Sequence, residues 1–160
     1  MKIGVISDTH ISNRSAHLPE SIIAAFKNVD LIVHAGDLVD LTVIAELAAC
    51  ASELVVVAGN MDQDEVRDKY PAKQVFVVQG FKIGLMHGSG APVNLVKLLK
   101  DAFKMEKPDI IIFGHSHKAM NEFIDGVLFF NPGSAMDLCE NRTYGIIELN
   151  HEINAKIFQV

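Results

Sequence analysis

The stretch IIIFGHSHKAM, Ile110 to Met120, decides the fold. Four consecutive branched or aromatic residues form a run with no polar face, as expected of a strand covered on both sides in an α/β protein. The run ends at Gly114 and then delivers two imidazoles, His115 and His117, separated by one serine. In open α/β sheets, ligands gather beyond the carboxyl ends of such strands. Imidazole is also the commonest metal-ligating side chain. The pair therefore asks whether other donors arrive at the same edge.

They do, at four further strand ends. KIGVIS runs into SDTH, with Asp8 and His10; DLIVHAG runs into Asp37; SELVVVAG runs into Asn60; and FKIGLM runs into His87. Taken singly, each has a plain structural reading: Asp37 would cap the next helix, Asn60 would serve a turn, and His87 would pack in a core. Five strands that each finish on a metal-competent oxygen or nitrogen make a cluster. Glycines stand directly before Asp37 and Asn60, where close backbone approach is useful.

Seven donors are too many for one tetrahedral zinc and suit two ions sharing a bridging carboxylate. A mixed nitrogen and oxygen set without cysteine fits Mn²⁺, Fe, Zn²⁺ or Ni²⁺ better than Ca²⁺ or Mg²⁺. Two such ions about 3.5–4 Å apart can share a water, lower its pKa and clamp the attacking and leaving oxygens of a phosphate. Mn²⁺ heads that set of expected ions, with Ni²⁺, Zn²⁺ or Fe left open.

The rest of the chain agrees. At 160 residues it is read as one domain, residues 1–160, large enough for a real core. Strands and helices alternate through the first half, with PESIIAAFKNV, DLTVIAELAAC and DQDEVRDKY as helices, implying parallel strands. Asp40 or Thr42 is placed to cap the second helix, and Asp62 with Glu65 has capping-box spacing for the third. The second half is β-rich around one helix, PVNLVKLLKDAFKM, with hairpin turns at Gln79-Gly80 and Asp125-Gly126. The expected architecture is two mixed sheets packed together with helices outside. Composition is that of a soluble globular protein, with 49% hydrophobic residues and no run long enough to span a membrane. The start reads as a strand and not as a signal peptide. Cys50 and Cys139 lack CxxC spacing, so reduced thiols and a cytoplasmic setting are expected. A net charge of −6 argues against a broad nucleic-acid-binding face. A small phosphodiester or nucleotide-like substrate is the expected partner, with no membrane, and a homodimer is the expected assembly.

The ordered set DTH, GD, GNMD, HG and GHSH resembles the calcineurin-like metallophosphoesterase superfamily over the whole chain. GHSHKAM followed by FFNPGSAM is similar to its small prokaryotic phosphodiesterase branch. The resemblance implies a four-layer α/β/β/α sandwich with metals at the strand C-terminal edge. It implies that Asp8, His10 and His117 hold one ion, that Asn60, His87 and His115 hold the other, and that Asp37 bridges them. His115 and His117 are expected on the same side of an extended segment, each serving a different ion. The implied activity is phosphodiester hydrolysis by in-line attack of a metal-bridging hydroxide, with Asp37, Asn60 and Asp62 in the catalytic machinery. A non-catalytic scaffold of the same fold, or a phosphomonoesterase, is the alternative.

Two positions depart from the family pattern. Met61 stands where many members carry a histidine thought to protonate the leaving group, and a thioether has no proton to give. Ser89 replaces a frequent second histidine after the HG motif. Asn131 to Ser134, NPGS, is expected to form a tight turn near the metals. Asn13 and Arg14, just after the first motif, are read as a solvated loop, with reach to a phosphate oxygen as the alternative. His34 is expected to be packed in its strand, and His17 and His151 to lie at the surface.

Overall fold

The computed structural model describes residues 1–11, 17–135 and 141–160. Asn13, Arg14 and Cys139, singled out above, lie outside these described residues. The first sheet has the order β10-β9-β1-β2-β3. Its members are β1 Lys2–Ile6, β2 Leu31–His34, β3 Glu53–Val56, β9 Thr143–Leu149 and β10 Ile153–Gln159. The three strands β1, β2 and β3 run parallel, joined through α1 Glu20–Phe26 and α2 Thr42–Ala48. The second sheet has the order β4-β5-β6-β8-β7. It comprises β4 Lys73–Val78, β5 Phe81–Met86, β6 Ile110–Ile112, β7 Met120–Ile124 and β8 Val127–Asn131, with β5, β6 and β8 parallel. Two further helices, α3 Asp64–Lys69 and α4 Leu95–Ala102, complete the element set.

Strand alternation builds the layers. On β1, Ile3 and Val5 point inward, joining Val33 of β2 against Leu85, Ile112 and Phe130 of the second sheet. Ile6 points the other way, into a second cluster with Ile22, Phe26, Val43 and Leu47 of α1 and α2. Beyond the second sheet, Leu95, Leu99 and Phe103 cover Ile111, Phe113 and Phe129. The result is the expected α/β/β/α sandwich. Ile110, Ile111 and Ile112 are buried because each face of β6 meets a different layer.

Both hairpins form where their turn residues place them. Gln79-Gly80 and Asp125-Gly126 adopt φ of 51° and 84°, and 52° and 82°. This is the type I′ pattern, whose twist matches the flanking strands. The helix starts differ in detail. Asp40 accepts the Thr42 N–H at 2.8 Å at the start of α2. The N-cap of α3 is Gln63, so the expected capping box of Asp62 and Glu65 does not form. The long fourth helix is interrupted: a 3₁₀ turn at Pro92–Asn94 precedes α4, which ends at Ala102 where Phe103 leaves helical geometry.

Because β1, β2 and β3 are parallel to one another, and β5 is parallel to β6, the loops after these strands emerge at one edge of each sheet. Those two edges meet, and the donors predicted from sequence sit there.

Candidate metal centre

Asp8 follows β1 at 0% exposure. Its Oδ2 accepts the Ser7 hydroxyl at 2.6 Å and the His115 N–H at 3.1 Å. Its Oδ1 has no hydrogen-bond partner. That oxygen instead lies 3.2 Å from His117 Nε2 and 3.8 Å from the Nε2 atoms of His10 and His87. Asp37 divides its oxygens in the same way. Oδ1 accepts the Met61 N–H at 2.7 Å, while Oδ2 faces His87 Nε2 at 3.2 Å and His10 Nε2 at 4.0 Å. Each carboxylate therefore anchors one oxygen on the protein and turns the other toward the histidines.

The imidazoles are oriented to present lone pairs. His87 Nδ1–H donates to the Ala35 carbonyl at 2.7 Å, which leaves Nε2 bare, buried and without a hydrogen bond. His115 Nε2–H donates to the Gly90 carbonyl at 2.8 Å, so its Nδ1 faces Asn60 Oδ1, also at 2.8 Å. A backbone carbonyl that fixes the tautomer of a ligating histidine is the usual outer-shell arrangement. His10 Nε2 and His117 Nε2 lie 3.2 Å apart. Two such nitrogens converging beside an orphaned carboxylate oxygen suit a shared cation.

Donors at about 2.1 Å from one ion stand roughly 3.0–3.4 Å from each other. Two groups bring their ligand atoms within 4.8 Å of one another, close to this spacing: Asp8, His10 and His117, and Asp8, Asp37 and His87. Asn60 and His115 approach one another beside the second group. Five of the seven predicted residues fall in these groups, the other two meet beside them, and the orphaned buried atoms fit divalent metal ions. Asp8 belongs to both groups, and Asp37 reaches histidines of both. Either carboxylate would be able to serve both groups of donors.

The charges respond to this crowding. Burial pushes the Asp8 carboxyl above its ordinary range, outweighing nearby His87 and the Ser7 hydroxyl. Burial acts in the same direction on Asp37, but His87 and the Met61 N–H hold it below that range. Burial alone would depress His87; the Asp37 and Asp8 carboxylates raise it instead. A positive charge among these groups is what the site favours.

The backbone carries much of the design. Asp8, His10, Asp37, His115 and His117 all have φ between 47° and 66°. That left-handed region is uncommon for non-glycine residues and clusters at functional sites. It also corrects the expectation for GHSH. His115 and His117 do not share one side of an extended segment; two left-handed residues wind the loop and send one ring toward Asn60 and the other toward Asp8. Close approach fixes the neighbouring glycines: a Cβ at Gly59 would lie 2.1 Å from Asp37 Oδ1, and one at Gly114 would lie 2.0 Å from Ser7 Oγ.

Asp62 holds a different place from the donors. Its carboxylate is 3% exposed and accepts three backbone N–H groups. Val39 donates at 2.6 Å, Gly59 at 2.7 Å and Asp37 at 3.0 Å. It ties the loop after β2 to the loop after β3, and Val39, a β-branched residue at φ 72°, depends on that tie. NPGS forms a turn near the centre, as expected, and does more. Buried Asn131 donates through Nδ2 to the Gly114 carbonyl at 2.7 Å and to Ser116 Oγ at 3.1 Å. Ser134 Oγ donates to the Asp8 carbonyl at 2.8 Å. Asn131 and Ser134 were missed as positioning residues; a polar side chain closing an otherwise apolar strand was the available signal.

The remaining histidines fall as expected. His34 is fully buried, accepts the Gly36 N–H at Nδ1, and meets Thr9 Oγ1 through Nε2. Burial, reinforced by His87, lowers its pKa to about 3. His17 is exposed and contacts Glu46, and His151 is exposed.

Comparison with known proteins decides the family. Residues 1–152 match the profile described as the calcineurin-like phosphoesterase superfamily domain. The chain belongs to that superfamily. Among its relatives, a probable metallophosphoesterase of Methanothermobacter thermautotrophicus is 37% identical over 84% of this chain and 77% of its own length. A phosphodiesterase of Methanocaldococcus jannaschii is 32% identical, with 83% of each chain covered. The solved structure of wild-type Vps29 complexed with Zn²⁺, from Entamoeba histolytica, superposes with a TM-score of 0.79 at 25% identity, covering 99% of both chains. As a calcineurin-like phosphoesterase, the chain has a fold that implies divalent metal ions, and its converged donors suit them.

Proposed function

We propose that this protein is a dinuclear metal-dependent phosphodiesterase acting on small phosphodiesters. The observation that carries the reading is the pair of buried, unpartnered atoms, Asp8 Oδ1 and His87 Nε2, aimed into a cluster of five converging donors, with Asn60 and His115 meeting beside it. Asp8, His10 and His117 would hold one ion and Asn60, His87 and His115 the other, with Asp37 shared; Mn²⁺ suits the carboxylate and amide oxygens and is the metal to try first, while the imidazoles also admit Zn²⁺, Ni²⁺ or Fe. When bound, such ions activate water and offset charge on the phosphoryl oxygens.

The chain's own residues do the rest. Hydrolysis forms one bond from water oxygen to phosphorus and breaks the bond to the leaving oxygen, which must then carry its charge or receive a proton. Met61, at the position of the usual family histidine, is 58% exposed and has no proton to transfer. Neither does Asp62 supply one, since both its oxygens accept from backbone N–H groups. Leaving groups stable as anions are therefore favoured, and aryl diesters should be cleaved well ahead of alkyl monoesters.

The scaffold alternative has one observation in its favour, the close superposition on Vps29. Metal content alone does not separate the two readings, because that structure is itself described with Zn²⁺. Turnover does. Chelator-stripped protein is given Mn²⁺, Ni²⁺ or Zn²⁺ and assayed on bis(p-nitrophenyl) phosphate beside His117→Ala. Metal-restored turnover lost in the variant supports the enzyme; folded, metal-loaded protein with no turnover supports the scaffold.

A further inference from the structure

Ser116, between the two histidines of GHSH, also lines a cavity of about 260 Å³. The cavity lies between the start of α4 and β7, with Leu95, Val96, Phe113 and Met120 among its lining residues. Lys118 and Glu122 also line it, one charge of each sign. It adjoins the candidate centre through lining residue Ser116, which stands between His115 and His117 in the chain. His115 presents Nδ1 to Asn60 and donates through Nε2 to Gly90, two residues before cavity-lining Pro92. A separate cavity of about 240 Å³, lined by Phe103, Ile124 and Phe129, lies at the opposite end of β6 and is out of reach of a phosphate at the centre.

We propose that this cavity is a specificity subsite for one ester arm of the phosphodiester, selecting an uncharged planar ring over a short alkyl group. The inference rests on the phosphodiesterase reading. Volume decides the size of the arm: the cavity falls just below the range of about 300–1,000 Å³ typical of drug-sized ligands, enough for one ring. Chemistry decides its character. A floor with an aromatic ring and a thioether favours a flat polarizable group. Balanced charge at the mouth gives no net attraction to a second anion.

The test holds the leaving group constant and varies the retained arm. Phenyl p-nitrophenyl phosphate and methyl p-nitrophenyl phosphate both release p-nitrophenolate, so leaving-group chemistry cancels. The Mn²⁺-loaded wild type should show kcat/KM at least about tenfold higher for the phenyl ester, since even one methylene in a fitted pocket discriminates by that much. Ala119 is exposed and lines the cavity, so Ala119→Trp should fill it without disturbing the core. That variant should lose the phenyl preference through KM while leaving the methyl ester unchanged. Equal rates for the two esters in the wild type, or an equal effect of the variant on both, would overturn the subsite. If the wild type cleaves neither ester, the phosphodiesterase reading has failed. Calorimetric binding of phenylphosphonate and methylphosphonate then judges the cavity alone: phenyl preference abolished by Ala119→Trp supports it, and equal binding refutes it.

Discussion

Removing the Asp62 carboxylate should destabilise the protein by about 4 kcal/mol, even with the metals stripped. Its three acceptor contacts reach N–H groups of Asp37, Val39 and Gly59, of which Asp37 is buried and the others partly so. Hydrogen bonds to a charged group are worth about 1.5–3 kcal/mol, and more exposed ones less. One strong and two weaker losses give about 3–5 kcal/mol for Asp62→Ala. For a chain of this length, that corresponds to a melting shift of roughly 8–16 °C. Asp62→Asn is the informative comparison. An amide oxygen in the place of Oδ2 still accepts from Asp37 and Gly59, but the amide NH₂ then points at the Val39 N–H. About half the loss is expected. If Asp62 were only a helix cap, alanine would cost about 1 kcal/mol and asparagine almost nothing, because Asn caps as well as Asp. Urea denaturation of chelator-treated wild type and both variants decides. A neutral Asp62→Asn with a loss near 1 kcal/mol for alanine would refute the bracing role.

Gly59→Ala places a methyl group where Asp37 Oδ1 now sits, so metal affinity should fall about 10–100-fold, the usual effect of disturbing a ligand's support; competition with a chromogenic chelator reads it. Asn131→Leu removes the donor that holds Gly114 and Ser116 and takes the acceptor away from the buried Gly133 N–H; it should cost about 1–3 kcal/mol and alter the visible spectrum of Co²⁺-substituted protein. His34 supplies a pH signature. Its pKa is about 3 folded against 6.5 in an open chain, so between these values the unfolded state binds the extra proton. Its contribution is complete above about pH 6.5 and is lost on acidification by about 1.4 kcal/mol per unit. Compared in metal-free urea titrations between about pH 7 and pH 4.5, His34→Gln should show a shallower decline than wild type; parallel slopes would contradict the assignment.

What could be read in the linear chain was what local chemistry dictates. Gln79-Gly80 and Asp125-Gly126 are turn dipeptides with their own conformational preference, and Ile110 to Phe113 cannot be anything but covered on both faces. The donors were legible because each follows an apolar run directly. What escaped was whatever depends on neighbours distant in sequence. Asp62 stands at the right spacing for a cap, and only the approach of the loop after β2 gives it three better partners. Asn131 is 17 residues from the Gly114 carbonyl it holds. The GHSH segment looked extended because its left-handed turns are imposed by the contacts of its rings, and not by glycine.

The five donors held at positive φ have a consequence for how this site can be lost. Each such conformation costs roughly 1 kcal/mol or more, and glycine would relieve it. A mutation that discards a donor can therefore make the metal-free chain sturdier while it ends the chemistry. Loss of donors runs downhill in folding free energy, and a chain of this architecture released from selection on its donor cluster would be expected to persist as a more robust body with a blank centre.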